Sequence, residues 1–317
     1  MFVISSNLTL TKGYKKSILG NFKNNELFHI ENNQAVEIHR LIKKRFFKKE
    51  DVTPGLFDFL IENRMVYKIP ENIKNNFPEK KLQYASKYHI EFLIYNYSTS
   101  LGIDKVIDIC EKICIPNLVI HLNNNIINQI EEKIKDKSFP ESVTIVTNNK
   151  EMLLEKNRFR ILITQKDNRP FVHRDSVDFN YQLFVESHFH HNYFNKKIYI
   201  GNKGEIKNTP ESVDVFANLT DLNLIQKLNG VISSNKFQKL WNVHKDICDV
   251  CKDCEFKYMC VDNRVPEQRN EKEWFHSTEC NYNPYIGKWK EEKEYVSLKQ
   301  LGVVSNNLEF SLNFTEN

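Results

Sequence analysis

Alanine is nearly missing from this chain: it occurs three times in 317 residues, at Ala35, Ala85 and Ala217. Disorder does not follow, because 22 Phe and 13 Tyr supply apolar mass for real cores. No apolar run approaches the roughly 20 residues needed to span a bilayer, so no membrane partner is expected. Neither sign of charge dominates, with 45 Lys and Arg against 41 Asp and Glu. A net charge of +4 over this length does not argue for nucleic-acid binding. The chain has no Gly-x-Gly-x-x-Gly, no P-loop and no Gly-x-Ser-x-Gly, so it carries no dinucleotide, phosphate-loop or hydrolase signature. Carboxylates are too scattered to nominate a general-acid pair. Internal repeats, low-complexity tracts and an N-terminal secretory signal are missing too, which makes a reducing, cytoplasmic location the expectation.

What the chain does have is a cysteine cluster. Cys248, Cys251, Cys254, Cys260 and Cys280 fall within 33 residues, against two cysteines in the other 284. The core runs Cys251-x2-Cys254-x5-Cys260, then nineteen residues to Cys280. Short spacings let several thiolates reach one soft metal centre, and four thiolates suit zinc or an iron–sulfur cluster equally well. A disulfide knot fits poorly with a reducing compartment.

The pattern divides into three parts, 1–75, 82–240 and 241–300. In the first, short strands around Gly13 and Asn24-Asn25 read as a hairpin or meander, followed by a helix. Ala35, Ile38, Leu41 and Ile42 form its stripe, with Asn32 or Asn33 as cap. Thr53-Pro54 opens a second helix, with Leu56, Phe57, Leu60 and Ile61 as its buried face. The whole reads as a winged-helix-like module, with 72–81 as a linker. Ser17 to Phe22 is its expected edge strand, and Lys12, Lys15, Lys16 and Lys23 give it a basic character. From His89 onward strands alternate with helices, which argues a parallel α/β sheet or partial barrel. The fold class is therefore α/β, α+β overall.

Other candidates are weaker. Cys110-x3-Cys114 lies inside a predicted helix, where core packing is the plainer account, and Asn117 stands where a C-x3-C-x2-C motif needs its third cysteine. His188 and His190 would share a face if on a strand, with His191 beside them. Aromatic packing along a polar edge accounts for them more simply. His121 and His173 are isolated. Asn281-Tyr282-Asn283-Pro284-Tyr285 reads as a tight turn over the centre, whose backbone N–H groups can donate to sulfur.

The cysteine pattern resembles the SPASM domain, the cysteine-rich appendage of radical enzymes that modify ribosomal peptides. Cys251, Cys254, Cys260 and Cys280 match its second auxiliary 4Fe–4S cluster. Its first-cluster positions hold Thr209 and Arg264 here, which implies that only the second cluster is retained. Trp241 to Asp246, Cys251 to Phe256, Cys280 to Tyr285 and the opening Lys12 to Ser17 resemble the SPASM-domain peptide maturases of grasp-with-spasm systems. The resemblance implies a reduced radical-enzyme-like middle without S-adenosylmethionine chemistry. It also implies a 4Fe–4S centre, a ribosomal precursor peptide as ligand, and an ATP-grasp ligase as partner. The first part resembles modules that capture leader peptides by strand addition. Cys248 stands outside the ligand pattern as a spare thiol. No catalytic residue is identified. An enzyme of unidentified chemistry and a zinc-stabilised interaction protein of another pathway stay open.

Overall fold

A computed structural model describes residues 1–77, 79, 81–122, 126–148, 159–163, 172–305 and 307–312. The N-terminal elements are β1 (Phe2–Ile4), β2 (Leu8–Lys12), β3 (Ser17–Asn21), β4 (Glu26–Ile30), α1 (Asn32–Lys44), β5 (Phe46–Phe47), α2 (Pro54–Glu62) and β6 (Val66–Lys68). An antiparallel meander in the order β2-β3-β4 forms one sheet. Strand β1 leaves it and pairs with β5 and β6 instead. Asn25 takes a left-handed conformation in the second turn, which asparagine tolerates better than most residues.

Helix α1 buries Ala35, Ile38 and Leu41, one stripe at helical spacing. Its cap is Glu31, not the expected Asn32 or Asn33, and the Glu31 N–H donates to Gln34 Oε1 at 3.3 Å. Asn32 has another task. Its side chain accepts from Ser17 Oγ at 2.7 Å and donates to the Tyr14 carbonyl at 2.8 Å, tying the helix start to the hairpin. In α2, Pro54 sits at the first turn as expected, and Leu56, Phe57 and Leu60 are buried. Ile61 is 40% exposed, contrary to expectation. One further residue turns the side chain about 100° away from the stripe.

Strand β3 departs most from expectation. It is the central strand, not an edge, and all five of its residues are buried. Leu19 faces a core shared with Leu8, Ile38, Leu41, Leu60 and Met65. Ile18 faces the other way, into a cluster with Phe184, Phe256, Met259, Tyr282 and Trp289. The hairpin thus packs on the cysteine-rich segment. The Tyr14 N–H donates to the Asp253 carbonyl at 2.7 Å, and its ring meets Tyr285 at 5.0 Å. Only glycine fits at position 13, where a Cβ would come within 2.7 Å of the Glu255 nitrogen.

The middle holds β7 (Phe92–Asn96), α3 (Asp104–Ile113), β8 (Asn117–His121), α4 (Ile127–Ile134), β9 (Ser142–Thr147), β10 (Phe159–Ile163), α5 (Tyr181–Ser187), β11 (Lys197–Ile200), β12 (Glu205–Lys207), β13 (Ala217–Asn218), α6 (Leu224–Ile232) and α7 (Asn235–Gln238). They build one open seven-stranded sheet in the order β10-β9-β8-β7-β11-β12-β13. The first five strands run parallel, and the last two pair antiparallel. Alternation along β7, β8 and β9 puts Leu93, Tyr95, Leu118, Ile120, Val143 and Ile145 fully inside. Helix α3 adds Val106, Ile107, Ile109 and Cys110 to that core. Cys114, expected on the same face, is exposed, because it is the left-handed C-cap of α3.

The cysteine-rich segment carries only two short hairpins, β14 (Glu267–Gln268) with β15 (Trp274–Phe275) and β16 (Tyr282–Asn283) with β17 (Lys288–Trp289). The chain is a mixed α/β protein. Among the described residues, no helix is long and apolar enough to cross a membrane.

Ile18 serves two parts of the molecule at once, so its truncation should be felt in both. Ile18→Ala should cost ~2–5 kcal/mol, the usual range for emptying a packed isoleucine site. Urea denaturation followed by tryptophan fluorescence, with Trp289→Phe as the control that isolates the Trp289 contribution, checks it. An unchanged midpoint together with an unchanged Trp289 contribution counts against this packing.

Candidate metal centre

Cys251 opens a short 3-10 turn ending at Asp253, and Cys254 follows it directly. Cys260 pairs across an isolated bridge with Val177, and Cys280 precedes β16. These turns bring the four thiols together. Cys260 lies within electrostatic reach of Cys251 and Cys280, Cys254 of Cys260 and Cys280, and Cys280 of Cys251. Two backbone donors wrap the sulfurs. The Phe256 N–H points at Cys254 Sγ and the Tyr282 N–H at Cys280 Sγ, each at 3.4 Å. Both come from the residue two places on, and a donor in that position favours the thiolate form.

The centre has two unlike walls. On one side Phe256, Met259, Tyr282 and Trp289 pack against Cys254, Cys260 and Cys280. Burial pushes all four thiols above their ordinary range. On the other side sit Lys245 and Arg264, whose charges pull Cys251 back down. Asp262, fully buried, joins these cations. Its carboxylate accepts from Lys245 Nζ at 2.6 Å, from Arg264 Nη2 at 2.8 Å and from Arg264 Nε at 2.9 Å. Burial opposes the charge on Asp262, yet Arg264 and Lys245 hold its carboxyl well below the usual range. Arg264 also donates to the Thr278 carbonyl at 2.7 Å and points Nη2 at Cys251 Sγ, 3.9 Å away.

Cys251, Asp262 and His276 each place a ligand atom within 4.8 Å of the other two, a group of a type that can hold a metal. Asp262 is a poor ligand as it stands, since two cations already claim its oxygens. A metal ion beside them would meet like charge. Four thiols are the donor set that both a zinc ion and an iron–sulfur core take. The donor set itself, four thiols with N–H support, fits a thiolate-bound metal group.

Cys248 lies beside Cys251, in the apolar cluster on which Cys251 packs. It is fully buried against Val243 and Trp274, with its sulfur 3.7 Å from the His244 carbonyl. The four lysines read as a basic face are dispersed. Lys15 and Lys16 lie along the Gly287 turn, Lys23 Nζ meets Tyr67 Oη at 3.1 Å, and Lys12 lies near enough to His39 to lower its pKa. His188, His190 and His191 lie in the turn after α5, not on a strand, and make different contacts. His188 stacks on Tyr258 at 3.6 Å, His190 Nδ1 meets Asn242 Oδ1 at 3.1 Å, and His191 is buried. The Lys245–Asp262–Arg264 group was not found from sequence. Its residues carry no motif, and only the Asp262, Arg264 spacing beside Cys260 hinted at it.

Cys254→Ser should strip the metal and loosen the C-terminal segment, because metal binding and folding are linked there. Cys248→Ser should keep its metal. Metal quantification of protein purified without oxygen checks both, and full occupancy in Cys254→Ser would sink the assignment.

No family model and no curated protein matches this chain. Among solved structures, Streptococcus suis SuiB bound to S-adenosylmethionine aligns at 11% identity, over 82% of this chain and 95% of that one, with a TM-score of 0.25. A second Streptococcus suis SuiB structure aligns at 10% identity, over 82% of this chain and 94% of that one, also at 0.25. Likeness at that level carries no argument about fold or function.

Proposed function

We propose that this protein carries one thiolate-bound 4Fe–4S centre on Cys251, Cys254, Cys260 and Cys280, and that it serves in cytoplasmic ribosomal-peptide maturation. In that role it binds a precursor peptide and presents it to an ATP-grasp ligase. The observation that carries the metal reading is the convergence of four thiols, two of them under N–H···S contacts; the choice of 4Fe–4S over zinc follows the resemblance of the cysteine pattern. The cluster would supply a rigid, anionic anchor for a segment with little regular structure. The zinc-stabilised alternative uses the same four thiols, and metal quantification separates the two.

The peptide reading rests on a groove of about 420 Å³ between β2 and α1. Leu8, Thr9 and Leu10 form one wall, and His39, Ile42 and Lys43 the other. Among the described residues, β2 pairs only with β3, so its outer edge is the one that offers strand addition. This replaces the Ser17 to Phe22 edge, since that strand is central and a proline there would disrupt the sheet itself and not an open edge. Register parity identifies the outward groups. Gly13 N–H donates to the Lys16 carbonyl and Phe22 N–H to the Asn7 carbonyl, so odd positions of β2 bond to β3 and the Leu10 N–H faces out. Lys43 and Arg45 give the groove a basic rim, with Glu79 its one acidic lining residue among the described residues. An acidic peptide suits it, with charge adding salt-sensitive steering more than affinity.

Two variants separate backbone from side chain. Leu10→Ala keeps the outward N–H, whereas Leu10→Pro removes it. Labelled precursor peptide titrated against both full-length variants should bind Leu10→Pro at least about tenfold more weakly than Leu10→Ala, one lost hydrogen bond plus its neighbours' register. Equal binding places peptide recognition elsewhere.

A further inference from the structure

Buried beneath the cysteines is an unbalanced charge. Lys245 and Asp262 are 3% and 0% exposed, and Arg264 is held between Asp262 and Cys251. Two cations share one carboxylate, at 2.6 Å and 2.8 Å to the same oxygen. A surplus positive charge away from water is costly unless an anion faces it. Besides Asp262, Lys245 faces Cys251, Cys260 and Cys248 as well as the buried His191, and Arg264 faces Cys280 and Cys251. His276 is close by, 3.5 Å from Asp262, and burial and Arg264 keep it neutral. As neutral thiols, the cysteines give the surplus cation nothing to pair with. Once they hold a metal they form a dianionic group, whether the occupant is one zinc or an oxidised 4Fe–4S core, and the surplus is then answered.

We propose that Lys245 and Arg264, held by Asp262, are the built-in counter-charge of the cysteine centre, with Arg264 acting as a positioning and tuning residue on Cys251. The inference rests on the metal reading above and adds to it. Arg264 occupies the place where the resembling domains carry a ligand of their first cluster. The side chain there serves the remaining centre from outside its ligand set. A positive floor stabilises added negative charge, so it favours metal loading and the reduced state of a redox-active core.

The test uses the full-length protein, purified without oxygen, in wild-type form and as Arg264→Gln, Arg264→Lys and Asp262→Asn. Iron, sulfide and zinc content come first. Wild-type protein with no metal on these cysteines defeats the underlying reading, before the variants are compared. With a centre present, Arg264→Gln should lose metal to a chelator at roughly 10- to 100-fold lower affinity, the usual effect of removing a supporting partner. Arg264→Lys should recover most of that loss. For an iron–sulfur centre, redox titration followed by electron paramagnetic resonance gives the sign. Arg264→Gln should move the midpoint potential down, and Asp262→Asn, which adds to the positive surplus, should move it up. Zinc allows no potential, so there the chelator series decides. Shifts of the same sign in both variants, or unchanged potential and affinity in Arg264→Gln, overturn the proposal. Complete loss of metal in Asp262→Asn, with Arg264→Gln unaffected, overturns it too by making Asp262 a ligand.

Discussion

Strand β3 is buried on both faces, and the arrangement of the molecule follows from that constraint. One face carries Leu19 into the N-terminal core, and the other carries Ile18 into the cluster that encloses Cys254, Cys260 and Cys280. A strand in this position leaves no room for a freely hinged N-terminal module. Gly20 shows how close the approach is, since a Cβ there would lie 2.7 Å from the Phe179 ring. The ring of Phe22 then stacks on Phe179 at 4.2 Å, extending the same seam. The cysteine-rich segment borrows its apolar wall from strands and helices far away in sequence. That compensates for having only two short hairpins of its own.

The cysteine centre is consequently a boundary between two kinds of surroundings. Aromatic packing disfavours charged thiols, and the Lys245–Arg264 pair favours them. The opposition matters because a metal must take its ligands deprotonated. A purely apolar pocket would make that deprotonation expensive. A purely cationic one would leave repelling charges with no reason to pack. Asp262 reconciles the two, holding both cations in fixed positions and leaving one net charge for the sulfurs.

Much of this was legible in the sequence, and the legible parts share a cause. Helices α1 and α2 and strands β7 to β9 follow from side-chain periodicity, which is local. The cysteine spacing was legible for the same reason. What stayed hidden depends on which strands become neighbours. The run Ser17-Ile18-Leu19-Gly20 has adjacent apolar residues where a half-exposed strand would alternate, and this was the available sign of two buried faces. Reading it as a hairpin edge ignored that sign. Lys15 and Lys16 look like a basic binding patch in sequence, but the turn that carries them is pressed against Gly287. Lys245 and Asp262 stand seventeen positions apart, and only the fold makes them an ion pair.

Strand order gives the proposed peptide groove its place in the architecture. Strand β2 lies between the groove and β3, and β3 lies between β2 and β4 with its Ile18 face on the cysteine core. A strand added at β2 would extend the same sheet whose central member is fixed against the cysteine-rich segment. Its backbone hydrogen bonds would therefore be made to a surface already held rigid from behind, so less ordering would remain at the moment of binding. On the proposed reading, the centre would not have to touch a peptide to matter for its binding. By locking β3, the cysteine-rich segment sets the position and twist of the edge beside it.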